Sequence, residues 1–168
     1  QLHFDHVGRL AHIPEAELIV SRQEWNVLFG PHPEREWILR QHIQLPKAKC
    51  HPVEIVPTVD PLFAPFQGIY DVMGDGSLIL LPTPGHTPGS SSLLVRTPQL
   101  PRILLIGDLA YSADMLLEDK VPGTGDAKLL RQSYAKVCQL KQMLPELVLV
   151  PSHDVAASEA LKSILASS

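Results

Sequence analysis

Short apolar runs that stop abruptly at a polar side chain recur along this chain. Leu78-Ile-Leu-Leu-Pro, Ile103-Leu-Leu-Ile-Gly and Leu147-Val-Leu-Val-Pro are each four or five residues long and bounded by Gly or Pro. Runs of this length and punctuation read as buried strands rather than helices. Ala16–Ser21 and Ser91–Arg96 read the same way, and Gly74-Asp75-Gly76 marks a hairpin turn between Asp71-Val-Met and the strand leading to His86. Elsewhere the apolar period lengthens to that of a helix. Leu130, Tyr134, Val137 and Leu144 share one face of a helix predicted over 127–144, with Asp126 at its N-cap. Ser21 caps an earlier helix, and Glu24 stands where a capping box needs its acidic partner. Leu10–Ile13, Glu34–Ile43 and Ala156–Leu165 are further helical stretches. Residues 46–70, rich in Pro and aromatics, read as a lid or substrate-pocket loop. Strands interleaved with helices predict an α/β layered domain.

Composition narrows this only a little. The 168 residues are 45% apolar and 19% charged, an ordinary globular balance, with enough chain for one domain over 1–168 with its own core. The net charge of −4 comes with no basic block, which argues against nucleic acid or an anionic membrane surface as partner. No apolar stretch approaches the ~20 residues of a membrane span. Cys50 and Cys138 form no Cys-x-x-Cys pair, so two reduced thiols in a cytoplasmic protein are expected.

Candidate chemistry changes the picture more. The chain opens Gln1-Leu2-His3-Phe4-Asp5-His6, with two imidazoles and a carboxylate inside four residues. Packing does not call for such residues, whereas Zn²⁺ or a similar borderline cation does. Three predicted strands then end at His86, Asp108 and His153. A polar residue just past a strand's C-terminal end sits on a rigid element at the sheet edge, where ligands bind. A lone histidine of this kind would be an ordinary loop residue, but four such sites together point to a metal centre. His12, His32, His42 and His51 match no motif and read as surface or packing residues. Trp25, Phe29, Trp37 and Leu39 suit either packing between helices or a hydrophobic wall over the site. Phe63 and Phe66 are further wall candidates.

The His-x-Asp-His-Val-Gly turn, Thr83-Pro-Gly-His86, Gly107-Asp108 and Ser152-His153 resemble the metal-binding signature of the metallo-β-lactamase superfamily. Within it the chain is most similar to the N-acyl-homoserine-lactone lactonase family, the segment Gly74–Val95 being the strongest local match. The resemblance implies an αβ/βα four-layer sandwich, here N-terminally truncated. The chain begins at the motif, so it reads as the C-terminal two-thirds of the fold. It also implies two Zn²⁺ per chain, other divalent metals being possible. The first would be held by Gln1, His3 and His86, and the second by Asp5, His6 and His153. Asp108 would bridge them beside a shared hydroxide. Tyr111 matches a tyrosine that hydrogen-bonds the substrate, and Asp5, Asp108 and Tyr111 form the expected catalytic set. The family has a histidine where Gln1 stands, so the first site is expected to be the weaker. The implied activity is hydrolysis of an ester or lactone ring, N-acyl homoserine lactones first, by a protein that could form a homodimer. Two alternatives stay open: a glyoxalase-II-like thioesterase or other ester hydrolase, and a partly metallated, non-catalytic chain.

Overall fold

Backbone contacts gather Gln1–Glu54 with Thr87–Gly89 into one unit, and Ile55–His86 with the chain from Ser90 onward into another. The structure, a computed structural model, describes residues 1–166.

The first unit begins with a single helical turn, α1 (Phe4–Val7), followed by a 3₁₀ turn at Leu10–His12. Strand β1 (Glu17–Ser21) runs straight into helix α2 (Arg22–Leu28), and α3 (Arg40–Ile43) precedes strand β2 (Lys49–Val53). β1 and β2 pair in parallel, Glu17 opposite Lys49 and Ser21 opposite Val53. Parallel pairing demands a crossover, which the helical segment between them supplies. Leu2, Val7, Val20, Leu28, Ile38 and Ile43 form its core.

Two expectations fail here. Glu34–Ile43 is not one helix. A 3₁₀ turn at Pro33–Glu36 ends at Trp37, whose left-handed φ of 55° breaks the helix before α3 begins. Nor are residues 46–70 simply a loop, because they contain β2 and a 3₁₀ turn at Pro61–Phe66. Pro52 disguises β2, yet a two-stranded sheet leaves each strand an open edge that tolerates a missing N–H.

In the second unit β3 (Tyr70–Asp71), β4 (Leu78–Pro82), β5 (Ser91–Val95), β6 (Ile103–Gly107) and β7 (Val148–Pro151) form one sheet in that order. The pairs are antiparallel up to β6, and β6 with β7 is parallel. Helices α4 (Ala113–Leu117) and α5 (Ala127–Met143) lie in the β6–β7 crossover, and α6 (Val155–Ala166) follows β7. β4 and β5 alternate buried and half-buried residues, so one face is sealed, with Ile79, Leu81 and Leu94 at 2% exposure or less. The buried face of α5 (Leu130, Ser133, Tyr134, Val137, Leu140) belongs to the same core. Asp126 caps α5 as expected, accepting from the Lys128 and Leu129 N–H groups at 2.8 and 3.0 Å.

Phe63 and Phe66 are 2% and 1% exposed within this core. They are therefore structural, not wall residues of a substrate pocket. Trp25 packs against the first unit's core, whereas Phe29 and Trp37 are exposed. His12, His32 and His51 are exposed and His42 half-buried. Cys50 and Cys138 are free thiols, and burial pushes both above the ordinary thiol range.

Candidate metal centre

Strand direction decides where ligand-type side chains collect. β4 and β6 are each antiparallel to β5, and β7 is parallel to β6, so β4, β6 and β7 all point the same way. Their C-terminal ends share one edge of the sheet. His86 lies four residues beyond β4, Asp108 directly follows β6, and His153 stands two residues beyond β7. Gly107 pairs with Pro151, and the Ser152 N–H donates to the Gly107 carbonyl at 3.1 Å, tying the last two ends together.

At that edge Asp108 is 3% exposed and lies between two imidazoles. Its Oδ2 is 3.3 Å from His86 Nε2, and its Oδ1 is 3.3 Å from His153 Nε2. One carboxylate thus offers each oxygen to a different histidine. The Tyr111 ring meets both edge-on, with centroids 6.3 Å from His86 and 5.8 Å from His153. The other nitrogen of His86, Nδ1, lies 3.3 Å from Thr124 Oγ1, which is also 3.0 Å from the Tyr111 hydroxyl. Fixing the far nitrogen of an imidazole in this way orients the ring and selects its tautomer.

The loop carrying His86 is anchored at its base. Thr83 N–H donates to the Ser90 carbonyl at 3.0 Å, and the Thr83 and Ser92 hydroxyls meet at 2.9 Å. Ser133 Oγ donates to the Pro84 carbonyl at 2.7 Å, and Asp126 N–H to the Gly85 carbonyl at 2.8 Å. Gly85 has φ 143°, and a Cβ there would come within 2.6 Å of the Leu130 backbone. Only glycine fits so close an approach.

In the first unit the opening motif forms the single helical turn α1. His3 is its N-cap, and the His3 carbonyl accepts from the N–H groups of His6 and Val7, both at 3.1 Å. His3 is buried (8% exposed), Asp5 is exposed, and His6 Nε2 lies 3.7 Å from Asp5 Oδ2. Gln1 is half-buried.

Thr124 and Asp154 escaped the reading of the sequence. Asp154 Oδ1 accepts from Ala157 N–H at 3.1 Å, opening α6, and its Oδ2 from Ala113 N–H at 3.3 Å, at the start of α4. Its position directly after His153 was the available signal. Thr124, in a Gly-Thr-Gly loop, carried none.

The donor set fits a borderline divalent cation. Imidazole nitrogens and carboxylate oxygens are the ligands such ions take, and a carboxylate shared between two imidazoles has the form of a bridging ligand. Comparison with known proteins agrees. The profile of the Metallo-beta-lactamase superfamily matches residues 2–153. N-acyl homoserine lactonase AttM of Rhizobium radiobacter is 37% identical over 127 residues, covering 73% of this chain and 43% of that protein. An N-acyl homoserine lactonase of Bacillus cereus is 29% identical over 96% of this chain and 56% of its own length. A solved N-acyl homoserine lactone hydrolase, with the product N-hexanoyl-L-homoserine at its catalytic metal centre, superposes with a TM-score of 0.72. It is 28% identical, with 95% of this chain and 56% of that one covered. The chain spans about half the length of the relatives it matches. Its sheet-edge histidines, its shared aspartate and its match over residues 2–153 together place it in the metallo-β-lactamase superfamily.

Proposed function

We propose that the protein is a metal-dependent hydrolase that opens the lactone ring of N-acyl homoserine lactones, and so quenches quorum signals. The observation that carries this reading is Asp108, buried, with its two oxygens each 3.3 Å from a different histidine. The lactonase names and the bound product among its relatives supply the substrate class.

The proposed ligands follow the superfamily motif: Gln1, His3 and His86 for one metal, Asp5, His6 and His153 for the other, and Asp108 for both. Zinc is the proposed metal, two per chain. When bound, such a pair lowers the pKa of a water towards neutrality and polarises the ester carbonyl.

The chain's own residues do the rest. Asp108 keeps the two histidines at a set spacing. Thr124 holds the far side of the His86 ring and, through its contact with Tyr111, the phenol as well. The Tyr111 hydroxyl donates to the oxygen on which negative charge develops as water adds to the carbonyl carbon. The ring C–O bond then breaks, and the leaving alkoxide takes up the proton given up by the attacking water. Asp5, an exposed carboxyl on the motif's own turn, is the group proposed to carry that proton. A homodimer and a cytoplasmic location belong to the same proposal; among the described residues no helix is long and apolar enough to cross a membrane.

The test is a substrate panel on the zinc-loaded protein. N-hexanoyl homoserine lactone should be cleaved faster than S-lactoylglutathione, and Asp108→Asn should abolish turnover and lower metal content while the circular dichroism is kept. A better rate on the thioester would replace the lactonase reading with a thioesterase. Unchanged turnover in Asp108→Asn would remove the bridging role.

A further inference from the structure

Glu24 is fully buried (0% exposed) in the first turn of α2. Its backbone N–H donates to Ser21 Oγ at 3.2 Å, as helix capping requires. Its side chain does not complete the capping box. Oε1 instead accepts from the Leu2 N–H at 2.8 Å, while Oε2 accepts from the Thr87 hydroxyl at 2.8 Å and the Gly89 N–H at 3.0 Å. Ser21 Oγ donates to the Gly89 carbonyl at 2.7 Å. A Cβ on Gly89 would lie 2.2 Å from the Glu24 backbone nitrogen, so the Thr87–Gly89 loop is seated directly on the start of α2.

A buried carboxylate is a poor way to stabilise a fold. Taking it out of water is costly, and a well-packed apolar side chain commonly does as well or better. What it offers is geometry, because each of its two oxygens can hold backbone in place. The backbone held here adjoins two ligand-type residues: Leu2 precedes His3 and Thr87 follows His86. We infer that Glu24 is a positioning residue of the metal centre. It clamps the His-x-Asp-His motif at Leu2 and the Thr-Pro-Gly loop at Thr87 and Gly89, so that the two segments bearing His3 and His86 are set from one side chain. This rests on the metal-centre reading above.

The conservative variant isolates the point. In Glu24→Gln the amide has one oxygen and one NH₂. With the NH₂ towards Leu2 it faces an N–H, and with the NH₂ towards Gly89 it faces another. Thr87 can rotate its hydroxyl to accept, but neither backbone N–H can. One clamp contact is therefore lost in either orientation, at nearly constant volume.

The experiment measures Zn²⁺ affinity by chelator competition and records the visible spectrum of the Co²⁺-loaded chain. The parent, Glu24→Gln and Thr87→Val are compared at a temperature where circular dichroism shows all of them folded. Glu24→Gln should bind Zn²⁺ about 10–100-fold more weakly, the range for outer-sphere partners of metal ligands, and its Co²⁺ bands should shift. Thr87→Val, which removes one donor, should show a smaller loss in the same direction and carries the test if Glu24→Gln fails to fold. A purely structural Glu24 would lower the melting temperature of the metal-free chain but leave affinity and Co²⁺ spectrum unchanged, and that result overturns the inference. A parent chain that binds neither ion overturns the metal-centre reading, and this inference falls with it.

Discussion

Tyr111 and Thr124 show how much one hydroxyl contact settles at this site. The phenol approaches both His86 and His153 edge-on, and its oxygen is held 3.0 Å from Thr124 Oγ1. On the mechanism proposed above, a hydroxyl so placed would donate to the developing oxyanion without reorganising. Removing one such donor typically costs about 10²–10³ in turnover. Tyr111→Phe should therefore lower kcat on N-acyl homoserine lactones by about that factor at unchanged metal content; a rate within threefold of the parent would make the tyrosine a packing residue only. The two thiols give a residue-scale expectation of a different kind. Desolvation raises both, with Asp119 adding to the effect at Cys138. Less thiolate is then present at a given pH than on a free cysteine, and thiolate is the reacting form. Labelling by a disulfide reagent at neutral pH should be slow in the native protein and fast in denaturant. Rapid native labelling of both would contradict the burial. The same scale shows what a sequence hides: Glu24 satisfied a capping-box pattern, but its position four residues before buried Leu28 was the better clue to an inward-facing carboxylate.

Elements matter here chiefly for where they end. Asp126 joins the start of α5 to the His86 loop, since its side chain caps the helix while its N–H donates to Gly85. Loss of such a cap costs about 1 kcal/mol. Asp126→Ala should lower the melting temperature by about 2–4 °C for a chain of this size, measured by calorimetry. No change would mean that the backbone contact to Gly85 suffices. β4, β6, β7 and α5 were legible because short apolar runs and a helical stripe are strong local signals. The broken segment at 33–43 was not, because its helical pattern survives in the side chains while Trp37 adopts a left-handed backbone. β2 was missed because Pro52 breaks the donor row of Lys-Cys-His-Pro-Val and so masks its short polar–apolar alternation. Phe63 and Phe66 were misplaced for a related reason, since an aromatic in a Pro-rich stretch looks the same whether it lines a pocket or fills a core.

At the scale of the whole molecule, the proposed centre has two unequal sites. An amide oxygen at Gln1 is a weaker zinc ligand than imidazole, whereas the other site draws on Asp5, His6 and His153. Dialysis of the zinc-loaded chain against a mild chelator should first bring the content from two equivalents to about one, and Gln1→His should delay that step. Simultaneous loss of both metals would refute the inequality. The sequence by itself determined the kind of chemistry. Imidazoles and carboxylates gathered at a motif and at strand ends are the donor types a borderline divalent cation takes, so residue type and local punctuation were enough to nominate His3, Asp5, His6, His86, Asp108 and His153. Only the tertiary structure decided their company. Asp108 stands between His86 and His153 because β4, β6 and β7 run in one direction, which depends on strand pairing across tens of residues. Thr124 reaches His86, and Glu24 reaches Leu2, Thr87 and Gly89, likewise only once the chain is folded. A hydrogen bond between residues far apart in sequence leaves no periodicity to read, because it is set by packing and not by either residue's neighbours.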